Sequence, residues 1–280
     1  MTENAAGWFE SVRPDDPDAA REAIENGSAE SPEDWPAQAV ESGFAEDESD
    51  YYGKLHEATL HAAREAVQER ERADDQQLVH AVRAMDDADR TANELAERLA
   101  EWAGSVYGES GGGVDYAREV AGREPAGPVE ERVVSLARQV VSLADEREEL
   151  RAFVERSADA AAPNLAAMAG PVLAARLIAL AGGLEQLAKK PSGTVQVLGA
   201  EDALFAHLRG NAPSPKHGVI YTHDYVRNTR PDERGSASRA LAGKLVIAAR
   251  VDHYSGERKP ELDEELDERI ERIRSRGDDD

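Results

Sequence analysis

The sequence predicts a mainly α-helical protein: a small acidic N-terminal region, a long antiparallel coiled-coil hairpin, then a compact and mostly helical lobe. Three observations carry that prediction. Two apolar runs repeat with heptad spacing, a Gly/Pro-rich stretch separates them, and aromatic residues make up only 5% of the chain while alanine is abundant. The 280 residues hold 57 acidic and 33 basic side chains, a formal net charge of −24. There is no cysteine, which excludes disulfides, thiolate metal centres, Fe–S clusters and a cysteine nucleophile. No 18-residue apolar run suits a membrane span, and Met1–Asn4 does not open a secretory leader. A cytoplasmic protein fits these features.

Residues 1–50 carry 2 basic and 15 acidic residues. Their apolar anchors are sparse: Trp8, Phe9, Ile24, Trp35, Val40 and Phe44. Pro14, Pro17, Pro32 and Pro36 interrupt any long helix, so short helices or partial disorder are expected. Residues 54–107 read as one helix, because no proline interrupts them and the spacing Leu78, Ala81, Met85, Ala88, Ala92, Leu95, Leu99, Trp102, Val106 alternates between three and four. A stripe of that length, roughly 42 Å at 1.5 Å per residue, needs a partner helix.

Residues 108–128 contain five glycines and two prolines after Gly108 and break the pattern, with room for one short helix around Tyr116–Val120. The second seam runs Val129, Val133, Leu136, Val140, Leu143, Arg147, Leu150, Val154, apolar except at Arg147. Two matched seams joined by a turn make an antiparallel hairpin over 56–162. Pro163 then opens a lobe over 163–256. It has apolar, small-residue helices within 165–190, further helices near 200–209 and 233–250, and a β-like run at His217–Tyr221. Residues 257–280 read as a charged helix fraying into an acidic tail that ends Asp278-Asp279-Asp280.

The chain shows no phosphate-loop signature, no nucleophile elbow and no zinc-binding His pair, so catalysis within it is not expected, nor are a cofactor or metal. His217 and His223 lack a carboxylate partner for a metal, and Glu201-Asp202 reads as the acidic first turn of a helix. Charge is the informative feature. Residues 163–260 hold 13 basic and 8 acidic residues, a net of +5, inside a chain that elsewhere carries −29. The acidic remainder fits a protein from a high-salt cytosol. Within the basic segment, Lys189 and Lys190 precede the turn at Pro191, and Arg209, Lys216, His217, Arg227, Arg230, Arg234 and Arg239 cluster around two helix ends and the connecting loop, with Gly210, Gly218 and Gly235 allowing close backbone approach. Long cations beside exposed amides are what RNA phosphates require.

The blocks Asn164-Leu165, Gly170-Pro171, Ala175–Leu184, Val195–Glu201, Pro215–Tyr221, Arg234-Gly235, Arg239–Ala242 and Ala248–Asp252 occur in an order that resembles the Nop family of box C/D guide-RNA ribonucleoproteins. Gln77–Val79, Ala84–Asp87 and Leu95–Leu99 are similar to the coiled-coil domain of that family, so the resemblance covers roughly 60–255. It implies a non-catalytic scaffold that binds guide RNA jointly with a kink-turn-binding ribosomal-type protein. The scaffold would dimerise through the coiled coil and position fibrillarin for 2′-O-methylation. A second reading is an RNA-binding assembly module that recruits no methyltransferase.

By the same resemblance Gly199, Ala200, Glu201 and Gly218 face the partner protein, with Asp202 standing where a lysine is usual. Lys216, His217, Arg234 and Arg239 face RNA, with Ser236 in place of another lysine. Leu78, Met85, Leu95, Leu99, Trp102, Val133, Leu136, Val140 and Leu143 serve dimerisation. Members of the family usually carry a larger α/β domain in front. Residues 1–55 are therefore read as a reduced fibrillarin-docking region with a minimal surface at Trp8, Phe9, Trp35 and Phe44, the other reading being that these aromatics pack locally.

Overall fold

The computed structural model describes residues 7–10, 12–13, 16–26 and 33–275. Pro14, Pro32 and the terminal Asp278-Asp279-Asp280 lie outside that set. The chain divides into two compact units, Met1–Ala73 and Asp74–Asp280. Every regular element among the described residues is helical.

The first unit holds α1 (Pro17–Asn26), α2 (Trp35–Glu41) and α3 (Glu48–Arg72). Asp34 caps α2 by accepting the Ala37 N–H, and Asp47 caps α3 by accepting the Asp50 N–H at 2.8 Å. Phe9, Phe44 and Tyr51 are buried against one another, with ring centroids 5.5–6.1 Å apart for the pairs that Phe9 makes. The Trp8 indole donates to the Tyr51 hydroxyl at 3.2 Å. Few apolar residues suffice here because α3 joins the core through Tyr51 and Ala58. The expected division at 55/56 therefore falls inside α3. Phe9 and Phe44 are core residues of this small unit, so their burial favours local packing over a docking surface for these two.

The expected continuous helix over 54–107 is also interrupted. The backbone leaves helical geometry at Ala73 (φ −59°, ψ 142°), and α4 (Asp74–Tyr107) begins anew. Arg70 and Arg72 close α3, and Asp74 and Asp75 open α4. Each pair complements the dipole of its own helix end.

In the second unit α4 runs antiparallel to α6 (Pro128–Ala161), and α5 (Gly113–Ala121) packs on both at the tip through Tyr116, Ala117 and Val120. Arg147, the charged residue in the second seam, bonds Asp89 Oδ1 across the hairpin at 2.8 Å. Counting antiparallel from that pair places Ala92 opposite Ala144, Ala96 opposite Val140, Leu99 opposite Ala137 and Ala103 opposite Val133, and all eight are buried. The buried stripe thus follows the 3.6-residue period of straight helices and slides off the strict heptad. Leu95, Leu136 and Leu143 move to the half-buried flanks, and Trp102 is 40% exposed. The seam residues Leu78, Met85, Leu99, Val133 and Val140 are buried within the chain itself. They are not free for a second copy, which corrects their assignment to a dimer interface.

The lobe follows at Pro163: α7 (Pro163–Ala169), α8 (Pro171–Ala181), α9 (Leu184–Lys189), α10 (Ser192–Val197), α11 (Glu201–Leu208), a 3₁₀ turn (Val219–Thr222), α12 (Asp224–Arg227), α13 (Arg234–Tyr254) and α14 (Glu261–Ser275). Its core centres on α13, with Leu241 and Leu245 packed among Leu165, Leu177, Ile178, Leu187 and Val195. The base of the hairpin shares this core through Leu78, Val82, Val154 and Ala158. Asp252 near the end of α13 reaches back to the start of α7. Its Oδ1 accepts the Asn164 N–H and Nδ2–H at 2.9 and 2.6 Å, and its Oδ2 accepts the Leu165 N–H at 2.8 Å. These bonds supply the acceptors that the first turn of a helix lacks. Asn164 in turn accepts the Lys259 N–H and donates to Glu257 O.

The acidic tail expected over 257–280 is instead a docked helix as far as it is described. Leu266, Ile270 and Ile273 of α14 are buried, Leu262 is half-buried, and Tyr225 donates its hydroxyl to Asp267. Burial and that carboxylate push the Tyr225 phenol up to about 12. No single helix is long and apolar enough to cross a membrane; α7 and α8 together are, but they bend by 117°.

Candidate nucleic-acid interface

The site begins with a backbone junction. Gly199 ends the segment after α10 with φ +81°, and the Glu201 carboxylate accepts its N–H at 2.8 Å. The segment 213–219 returns beside it. Gly218 N–H donates to Gln196 O at 2.9 Å, Val219 N–H to Leu198 O at 2.8 Å, and Gln196 Nε2 to Lys216 O at 2.7 Å. A Cβ on Gly218 would stand 2.0 Å from the Leu198 oxygen. Only glycine lets the two strands of backbone meet here. His217–Tyr221, expected to be β-like, is a pinned loop that leads into a 3₁₀ turn, because its backbone partners are the end of a helix and not a strand.

Lys216 is thereby held over the start of α13, where the nearest atom to an added Cβ on Gly235 is its Cδ at 3.9 Å. Lys216 and Arg239 line one cleft of about 730 Å³ together with Gly193, Thr194, Ser214 and Ser236. Asp232 is the one carboxylate in that lining. The cleft combines two long cations, three hydroxyls and two glycine backbones, a donor set suited to phosphodiester oxygens.

Arg234 plays a different part from the one expected. Its Nε donates to Thr229 O at 3.0 Å and its Nη2 to Arg227 O at 3.3 Å, while the guanidinium lies 5.5 Å from the Tyr221 ring centroid. It braces the turn in front of α13. His217 stacks on the other partner of that assembly, Tyr221, with centroids 4.5 Å apart and planes 24° from parallel. Burial, then the neighbouring Arg234, hold the His217 imidazole below its ordinary value.

The remaining predicted cations scatter. Arg227 pairs with Asp224 at 2.6 Å, and Arg230 approaches Asp232 at 3.4 Å on the rim of the cleft. Arg209 is exposed after α11. Lys189 pairs with Glu185, and nearby Arg250 bonds Ala188 O. Lys189 and the adjoining Lys190 do not line the cleft of Lys216 and Arg239, although Gly193, three residues on from Lys190, does.

A second cleft of about 540 Å³ lies at the same junction. Gly199 and Gly218 line it with Leu180, Val219, Tyr221 and residues of α4. Arg176 of α8 forks onto Asp86 of α4 at 3.1 and 2.5 Å, and Arg83 donates to Ala179 O at 3.3 Å. Leu180 is 46% exposed. Gly199 and Gly218 are thus brought together as expected, with Ala200 half-buried and Glu201 exposed beside them. Arg83, Asp86, Arg176 and Leu180 are additions. Arg176 carried a signal, being a lone charge inside the apolar run of α8.

The sequence model of one family, Nop, described as "snoRNA binding domain, fibrillarin", matches residues 73–275. An uncharacterized NOP5 family protein of Methanocaldococcus jannaschii is 35% identical over 258 residues, covering 79% of this chain and 62% of that protein. Nucleolar protein 58 of Schizosaccharomyces pombe is 33% identical over 218 residues (65% of this chain, 43% of that one). Nucleolar protein 56 of Saccharomyces cerevisiae is 40% identical over 144 residues, with 51% and 29% covered. The chain therefore spans under two thirds of the length of each of these relatives. Among solved structures, the crystal structure of a fibrillarin/Nop5p complex contains a similar chain, with a TM-score of 0.54 and 25% identity over 91% of this chain and 92% of that one.

Proposed function

The chain belongs to the Nop family, and from that premise we propose that it is a non-catalytic scaffold of a box C/D guide-RNA particle. It binds the kink-turn RNA together with its ribosomal-type protein and positions fibrillarin for 2′-O-methylation. The observation that carries this reading is the paired arrangement at Gly199 and Gly218. A cationic cleft with Lys216 and Arg239 and a second cleft with exposed Leu180 share one pinned backbone junction. RNA backbone suits the first cleft, and an apolar protein surface suits the second. Two cations alone make a weak phosphate contact, so affinity comes from both ligands together.

The likeness to a chain solved with fibrillarin supports that methyltransferase as the third component. A homodimer through the coiled coil has to use side chains that the hairpin leaves outside, such as Trp102. The net charge of −24 supports a haloarchaeal, cytoplasmic setting, where carboxylates keep a surface hydrated in concentrated salt.

Reconstitution with guide RNA, kink-turn protein and fibrillarin, omitting one component at a time, tests the reading. The preformed RNA–protein complex is expected to bind at least tenfold more tightly than either ligand alone, as about 1.4 kcal/mol of added contact requires. Equal affinity for naked RNA overturns composite recognition. Methyl transfer by the chain without fibrillarin overturns the scaffold role.

A further inference from the structure

The cationic surface does not stop at Arg239. Ser236 and Arg239 also line a separate cleft of about 590 Å³ between α13 and α14. Its other charged residues are Lys244, Arg269 and Arg272, set against Glu265 and Glu268. Lys244 and Glu265 form an ion pair with each other. What remains is three arginines facing one carboxylate.

That excess is unexpected on α14, which carries seven acidic and three basic residues. Docking sorts them. Asp263 is drawn to Arg258, Asp267 to Tyr225 and Glu265 to Lys244. Arg269 and Arg272, three residues apart, share one face, and both are exposed. Arg272 Nε bonds only the Glu268 carbonyl of its own helix among the contacts of the described residues. Ile247 of α13 and Ile273 of α14 form the apolar floor between the charged walls.

We propose that α14 is the second half of a continuous RNA-binding track. A phosphodiester backbone that enters beside Lys216 passes Arg239, which belongs to both clefts, and runs on to Arg269 and Arg272. The inference rests on the RNA-scaffold reading and extends it to a helix whose composition argues the opposite. Continuity selects the occupant. The two clefts meet at Ser236 and Arg239, so a polymer held in the first is led into the second, and an anionic backbone is the polymer that both charge sets accept.

The test uses the full chain and the preformed kink-turn RNA–protein complex with an extended stem, titrated over a range of salt concentrations. Arg269→Gln combined with Arg272→Gln is expected to weaken binding about tenfold and to make the slope of log affinity against log salt shallower by about one to two. Glu268→Gln removes the opposing carboxylate and is expected to tighten binding about two- to threefold, a gain that misfolding cannot produce. Thermal unfolding of each variant confirms that α14 stays docked. If the double variant binds as the wild type does while Lys216→Gln weakens binding, α14 is not part of the track and the scaffold reading stands. If the wild type binds neither RNA nor the complex, both fall together.

Discussion

Gly218→Ala is the sharpest perturbation of the junction. The new methyl would lie 2.0 Å from the Leu198 oxygen and 2.7 Å from two carbonyl carbons, all of them backbone atoms. No rotamer relieves this, because a Cβ has none. The chain has to separate by more than 1 Å to reach the ~3.4 Å of an ordinary contact, and hydrogen bonds of 2.9 and 2.8 Å do not survive that. Two backbone bonds at about 1 kcal/mol each, plus about 1–3 kcal/mol of overpacking, put the loss at about 3–5 kcal/mol. For a unit the size of Asp74–Asp280 that is a fall in Tm of roughly 6–20 °C. If the loop peels away to avoid the clash, the Tm loss is smaller and Lys216 leaves the cleft. Either way binding of the RNA–protein complex falls at least tenfold. Gly199→Ala is the comparison for the melt, since its methyl would meet two side-chain carbons at 3.4 Å and the Val219 nitrogen at 3.6 Å, ordinary contacts, and the cost is about 1–2 kcal/mol of left-handed backbone. Circular dichroism melts and a gel-shift titration give both readouts. A Gly218→Ala protein with an unchanged melt and unchanged binding refutes the junction as the element that positions Lys216.

Three further outcomes are expected. Asp252→Ala strips the acceptor from two N–H groups at the start of α7 and from Asn164 Nδ2, so urea unfolding should show a loss of about 3–5 kcal/mol; a loss below about 1 kcal/mol would mean the network is solvated. A double-mutant cycle on Asp89 and Arg147, which are 46% and 36% exposed, should give a coupling of about 0.5–1 kcal/mol, shrinking in high salt; zero coupling at low salt removes the pair as a register device. His217 and His223 are both held below their ordinary value, chiefly by burial, so the folded chain keeps them neutral while the unfolded chain takes up protons near pH 6.5. Their contribution is present above about pH 6.5 and is lost as pH falls through the lowered values. His217→Gln should flatten the decline in Tm between about pH 7 and 5, and parallel curves for variant and wild type would contradict the shift.

The hairpin and the basic lobe were legible because each rests on a pattern of many residues. Finer features were hidden for identifiable reasons. A 3.5-residue template points to Leu95 and Trp102, but straight helices turn every 3.6 residues, and over three turns the stripe slips to Ala96 and Ala103. The break at Ala73 carries no proline or glycine; its only trace is the reversal from Arg70 and Arg72 to Asp74 and Asp75. In α14 the stripe Leu262, Leu266, Ile270, Ile273 has helical spacing, yet seven carboxylates drew the reading towards a solvated tail. The bonds of Arg234 to the Thr229 and Arg227 carbonyls were not legible, because charge alone does not distinguish a residue that faces solvent from one that donates to backbone carbonyls. Gly218 was legible as a site of close backbone approach, but its partner, Leu198, lies twenty residues away and leaves no local mark.

The alanine-lined contact between α4 and α6 makes the hairpin a ruler. Its foot is cemented into the lobe at Val82 and Val154, so the tip at Tyr107 is carried at a set reach, roughly 37 Å from Val82 at 1.5 Å per residue. Reach of this kind changes in steps. Excising seven residues from each helix shortens the arm by about 10 Å with nearly the same faces outward, whereas excising five turns the tip by roughly 140° relative to the lobe. Whatever the tip touches in an assembled particle is therefore specified by counting residues along the arm as much as by the residues at its end.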